Sequence, residues 1–178
     1  MGASGTLGRA VAAELGPRHE IIAAGRKGGD VRMDIMDPAG MAKALANLGP
    51  LDAVISVAGH VKIAPLEAFQ AAPLSESDYG IGLADKLMGQ VNLALAARDH
   101  LKDGGSITLT SGILSEQPIL AGSSASMVNG ALEAFVRAAA IELPRGIRIN
   151  AVSPNVLAES MGDYGPYFRG FEAVPAAR

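Results

Sequence analysis

Cysteine is absent from this chain. That excludes disulfides and thiolate chemistry, and it fits a reducing compartment, so a cytoplasmic location is expected. Aromatic residues are scarce, at 4%, and there is no basic run to offset a net charge of −3. Neutralising a phosphate backbone needs clustered Lys and Arg, so nucleic acid is not an expected partner. No window approaches the roughly 18 uninterrupted apolar residues of a membrane span. No basic stretch leads into an apolar one at the N-terminus, so neither a membrane partner nor a signal peptide is expected. No set of metal ligands stands out either. Apolar residues make up 49% of the 178 residues and charged residues 19%. That is the composition of one globular domain spanning 1–178, long enough to bury a core.

What is present is an alternation of strands and helices. Gly2–Gly8 (GASGTLG) is a glycine loop opening a helix to about Leu15, with Leu7, Ala10, Val11 and Leu15 on one face. Glu20–Ala24 and Val31–Asp34 read as short strands. Asp37 is a good N-cap with Pro38 in the first turn, and the helix it starts runs to about Leu48, before Gly49-Pro50. Leu51–Ala58 reads as a buried strand and Ser77–Leu101 as a long helix. Gly104-Gly105 turns the chain into a strand over Ser106–Ser111. A helix over Ser124–Leu143 and a strand over Ile147–Val152 complete the pattern. Such alternation predicts crossover connections and an α/β fold: a doubly wound parallel sheet in three layers (αβα). The tail from residue 155 to 178, rich in Gly, Pro and aromatics, reads as an irregular lid, with Tyr164, Tyr167, Phe168 and Phe171 as its apolar material.

Two features point to a dinucleotide. Glycines 2, 5 and 8 have the spacing that lets backbone N–H groups at a helix start approach a pyrophosphate; a plain turn is the competing reading. After the second strand the chain reads Ala23-Ala24-Gly25-Arg26-Lys27. No carboxylate is there for a ribose 2′-hydroxyl, whereas Arg26 suits a 2′-phosphate, so NADP(H) is favoured over NAD(H). A solvated turn carrying two surface charges is the alternative.

Over residues 2–160 the chain resembles the short-chain dehydrogenase/reductase family. GASGTLG resembles the family's nucleotide loop, Asp34-Ile35 its adenine contact, and Ser56-Val57-Ala58-Gly59 its Asn-Asn-Ala-Gly turn. The strand ending at Ser111 resembles the one carrying the catalytic serine, and Ile149–Pro154 (INAVSP) the one leading to the nicotinamide loop. The resemblance implies a Rossmann-type fold, oligomers such as a homodimer or homotetramer, and hydride transfer between a nicotinamide and a small carbonyl or alcohol. It also implies cofactor contacts at Gly2, Ser4, Gly5, Thr6, Leu7, Gly8, Ala58, Gly59, Pro154 and Val156. A glycine loop of this kind should follow a strand, yet only Met1 precedes Gly2, and the family adds a further strand and helix beyond the last one read here. The expectation is a sheet cut short at its first strand and at the C-terminus, with a gap or a re-pairing where the central strand belongs.

The family's chemistry uses a serine for the substrate oxygen, a tyrosine for the proton, a lysine four residues later and an asparagine on the preceding long helix. Ser111 matches the serine. Registering the helix from its closing pattern AFVRAAAIEL puts Ala125 at the tyrosine position and Asn129 at the lysine position. Gly89 registers the long helix and puts Lys86 at the asparagine position, with Asn92 an echo further on. Hydride addition creates an alkoxide that must be protonated or stabilised. The candidates are Lys86 for charge or a proton, Asn129 for the ribose and His60 as a donor after the fourth strand. The plainer alternatives are a surface lysine, a loop histidine and a strand-ending serine, with Ser123, Ser124 and Ser126 as helix-start residues. Three functions stay open: an atypical reductase, an NADP(H)-binding sensor, regulator or scaffold without turnover, and a remnant that binds nothing.

Overall fold

The structure is a computed structural model and describes residues 1–177. In chain order the main elements are α1 (Thr6–Leu15), β1 (Ala24–Gly25), β2 (Val31–Arg32), α2 (Pro38–Ala46), β3 (Leu51–Ile55), α3 (Asp78–Gly82), α4 (Gly89–Arg98), β4 (Leu101–Thr110), α5 (Ser123–Glu142), β5 (Arg148–Val152) and α6 (Met161–Tyr164). Every strand pair is parallel, β1 with β2 and β3–β4–β5 in that order. This is the expected Rossmann-type α/β fold.

The expected gap is there. The strands form a two-stranded and a three-stranded sheet, and Met1-Gly2 spans the space between them. The Gly2 N–H donates to Ala24 O on one side at 2.9 Å, while Met1 O accepts from Val57 N on the other at 3.0 Å. The glycine loop is thereby hung at the C-terminal edge of both sheets.

Several boundaries differ from those the sequence suggests. The first strand shrinks from Glu20–Ala24 to Ala24–Gly25 and the second from Val31–Asp34 to Val31–Arg32. A strand needs a ladder partner, and residues 20–22 have none among the described residues. The long helix stops at Arg98, and Leu101 already pairs with Leu51. The next pair is Ala53 with Ser106, so residues 102–105 bulge out of a strand that begins earlier than Gly104-Gly105 implies. Arg145 closes that bulge, donating to the carbonyls of Leu101 and Arg98.

The core sits where alternation predicts. Ile107 and Leu109 of β4 are fully buried among Leu93 and Ala97 of α4, Leu132 and Val136 of α5, and Met41 and Leu45 of α2. Truncating any one of these large side chains to alanine costs about 2–5 kcal/mol. Asp37 caps α2 as expected, accepting from the Gly40 N–H at 2.9 Å. The tail is folded down rather than loose: Val174 bridges to Leu157, and Phe168 is buried with Leu114, Ala125 and Val156 in a second apolar cluster. Tyr164 and Tyr167 remain exposed.

Candidate active site

The site is built where the long helix crosses the C-terminal end of β4. That helix is not α-helical throughout: between α3 and α4, Leu83–Met88 is a π segment. Its wider turn is a common device at functional sites because it re-aims a side chain. Here the side chain is Lys86. Gln90, fully buried one turn later, fixes the crossing point. Its amide donates to Thr110 O at 2.9 Å and accepts from Thr110 N at 2.9 Å, taking the place of a ladder partner where β3 has ended.

So anchored, Lys86 reaches the end of the strand. Its Nζ donates to Ser111 O and to Asn129 Oδ1, each at 2.7 Å. The far side of the Asn129 amide donates to Gly112 O at 3.2 Å, so both ends of that buried group are satisfied. An ammonium carries three donors, and the third has no hydrogen-bond partner among the described residues. Burial disfavours the charged form, and the pKa of Lys86 drops from 10.5 to about 8; Glu133 acts in the opposite direction. Lys86 is therefore no surface lysine, and the position of Asn92 explains why the two differ. Asn92 faces a cleft with Met36, Ile81 and Met88, away from Ser111.

Ser111 is buried and its hydroxyl donates to Glu133 Oε1 at 2.7 Å. Ser115, on the turn Ile113–Ser115, donates to the same oxygen at 2.8 Å. Sequence reasoning missed Glu133 and Gln90. The signal for Glu133 was available: it lies four residues after Asn129 on α5, hence on the same face. Ala125 is buried with Leu114, Val156 and Phe168. His60 is exposed; its backbone N–H donates to Asp85 Oδ1 at 2.8 Å, and no hydrogen bond ties its imidazole to Lys86, Ser111 or Asn129. Ser123 Oγ meets the Tyr79 hydroxyl at 2.9 Å, while Ser124 Oγ and Ser126 Oγ are buried without a partner among the described residues.

The glycine loop stands at the same edge. Gly5 starts α1 with no side-chain cap, and no acidic residue lies in the first turn, so the N–H groups of Thr6 and Leu7 are open to an anion. A Cβ at Gly8 would collide with Gly2 O and lie 2.8 Å from Ala3 Cα; one at Gly2 (φ +84°) would lie 3.0 Å from Ala58 N. Ser4 O accepts from Arg9 at 2.6 Å. Arg26 and Lys27 are exposed just past β1 and make no ion pair among the described residues. Asp34 accepts from the Met36 N–H, and Ile35 is buried, pressed against Gly89. The turn after β3 lies against the π segment: a Cβ at Gly59 (φ +149°) would sit 2.5 Å from Lys86 Cγ and 2.8 Å from Lys86 Cβ. Pro154 O accepts from the Ile113 N–H, and Val156 lies inside the second apolar cluster.

Comparison with known proteins agrees with this fold. The family model described as enoyl-(acyl carrier protein) reductase matches residues 10–177. The short-chain dehydrogenase/reductase ATR9 of Stachybotrys chlorohalonatus is 35% identical over 129 residues, covering 72% of this chain and 49% of its own. The chain spans about half the length of the curated relatives it matches. Among solved structures, the protein lin1944 of Listeria innocua is 48% identical with a TM-score of 0.92, covering 99% of this chain and 86% of that one. A small-chain dehydrogenase in complex with NADPH is 28% identical with a TM-score of 0.78, covering 91% and 71%. No helix among the described residues is long and apolar enough to cross a membrane. With the parallel sheet, the glycine loop and the serine-ended strand in the family's order, the chain belongs to the short-chain dehydrogenase/reductase family.

Proposed function

We propose that this chain binds NADP(H) and interconverts a small carbonyl compound and its alcohol, with Lys86 in the role of proton donor. The observation that carries the reading is the buried ammonium of Lys86, held by Ser111 O and Asn129 Oδ1 with one donor to spare and a pKa lowered to about 8. A group that titrates near neutrality both holds and releases a proton, which is what general acid catalysis requires.

The residues fit the cofactor. The uncapped start of α1 and the glycines at 2, 5 and 8 suit a pyrophosphate, and Arg26 with Lys27 suits a 2′-phosphate. Asn129, Ala58, Gly59 and Pro154 lie at the same sheet edge, as the nicotinamide end requires. The cofactor supplies a hydride to the carbonyl carbon. Lys86 holds a proton at Nζ for the oxygen that would otherwise become an alkoxide, and its own proton is restored from solvent. Ser111 lines the site at the strand end, where its carbonyl holds Lys86. The NADPH-bound relative supports the cofactor reading.

A second reading has its own observation. Ala125 leaves no hydroxyl where the family keeps one, and Phe168 packs over it with Val156 and Leu114. A protein that binds NADP(H) without turnover, as a sensor or scaffold, accounts for that closed apolar wall. Titrating NADPH fluorescence and then screening carbonyl compounds by NADPH absorbance separates the two. Binding with turnover supports the reductase; binding with none across the screen supports the silent form; no binding removes both.

A further inference from the structure

Glu133 has no part in the reading above, yet it is the carboxylate nearest the reaction's candidates. It sits half-buried on α5, and a single oxygen, Oε1, accepts from Ser111 Oγ at 2.7 Å and from Ser115 Oγ at 2.8 Å. That oxygen ties together the end of β4, the turn after it and α5. An ionised carboxylate has no proton to give, so both hydroxyls must be the donors. Ser111 is left with lone pairs, whereas a free serine would offer donor and acceptor alike.

The charges around Lys86 sharpen the point. Its neighbour Asp85 is turned to the His60 N–H, and His60 itself is exposed. The groups that Lys86 touches on β4 and α5, Ser111 O and Asn129 Oδ1, are neutral. No carboxylate oxygen among the described residues lies within 4.0 Å of its Nζ. The charge that acts on Lys86 is Glu133, and it acts at a distance, in partly desolvated surroundings where such coupling persists.

We propose that Glu133 is the positioning residue of this site: one carboxylate oxygen takes the protons of Ser111 and Ser115 and serves as counter-charge to Lys86, so that the oxygen of a bound carbonyl compound meets Lys86 as its donor, while Ser111 offers lone pairs alone, to the hydroxyl of the alcohol. The mention of a carbonyl compound rests on the reductase reading; the arrangement of charge and protons does not, and the experiment keeps the two apart.

Wild type, Glu133→Gln and Ser115→Ala are labelled with lysine carrying 13C at Cε, and the Lys86 signal, identified by its loss in Lys86→Met, is followed against pH. Gln keeps an acceptor oxygen and removes the charge. The Lys86 midpoint should fall by about one pH unit in Glu133→Gln and by less in Ser115→Ala, which keeps the charge. Equal midpoints in wild type and Glu133→Gln would overturn the proposal. Should Glu133→Gln fail to fold by circular dichroism, Glu133→Ala reads the same way. In carbonyl reduction, the alkaline limb of the rate should move down by the same amount. A moved midpoint with no turnover on any carbonyl leaves Glu133 in its role and removes the reductase reading. Turnover with an unmoved midpoint does the reverse.

Discussion

The glycine loop and the Lys86 cluster share one edge of the sheet and are built on opposite principles. The loop is made of missing side chains: Gly2, Gly5 and Gly8 leave backbone N–H groups bare, and a Cβ at Gly8 has nowhere to go. The cluster is made of side chains that are costly to bury, namely Lys86, Asn129, Gln90 and Glu133, each compensated by a partner. Backbone recognition leaves little room for substitution, so the loop keeps the family pattern. Side-chain chemistry can be supplied from many positions, and here Lys86 from the long helix reaches Asn129 on α5. Within one fold, then, a cofactor site is legible as glycine, while a catalytic site must be found by geometry.

The comparison breaks if either half does the other's job. The largest effect is expected from Lys86→Met, which should cut carbonyl reduction about 10²–10⁴-fold while the NADPH dissociation constant stays within a few-fold; equal losses in both would erase the distinction. Gly8→Ala should do the converse, lowering stability by about 1–3 kcal/mol and weakening NADPH, read by a chemical melt and a fluorescence titration.

A third test uses pH. Lys86 has its pKa lowered in the folded chain, from 10.5 to about 8. Between those values the unfolded chain binds the extra proton, so stability rises with pH there and the burial penalty is relieved. Wild type should therefore gain about 2 kcal/mol relative to Lys86→Met from pH 7 to pH 10, measured as the difference between urea curves. The opposite trend would mean that the ammonium is stabilised rather than strained. The rate of reduction should fall over the same rise through pH 8. The smallest effect is on cofactor choice: Arg26→Ala should weaken NADPH about tenfold and leave NADH unchanged, and parallel losses would detach Arg26 from the 2′-phosphate.

Much of this was legible in the chain. The closing pattern of α5 singles out Asn129 and Gly89 singles out Lys86, and the structure brings these two side chains together. The parallel sheet and the gap beside Met1-Gly2 follow from the order of motifs. Other features had no local signal. The π segment at Leu83–Met88 is composed of ordinary helix formers, and the Gly59 turn that packs on its Lys86 is distant in sequence. The short first strands reflect missing ladder partners, which no propensity encodes. Phe168 reads as a loop aromatic until the bridge between Leu157 and Val174 folds it over Ala125. Glu133 was within reach of helical spacing, but its partner Ser115 lies on a turn that spacing does not reveal.

The contact between Gly59 and Lys86 ties the turn after β3 to the charge-built half. The turn that follows β3 presses its bare Cα side on the stem of Lys86, with less than a methyl group of clearance. A side chain at residue 59 could not be added without displacing the stem of the lysine. Gly2 of the loop packs in turn against Ala58, so this one turn touches the glycine-built half on one side and the charge-built half on the other.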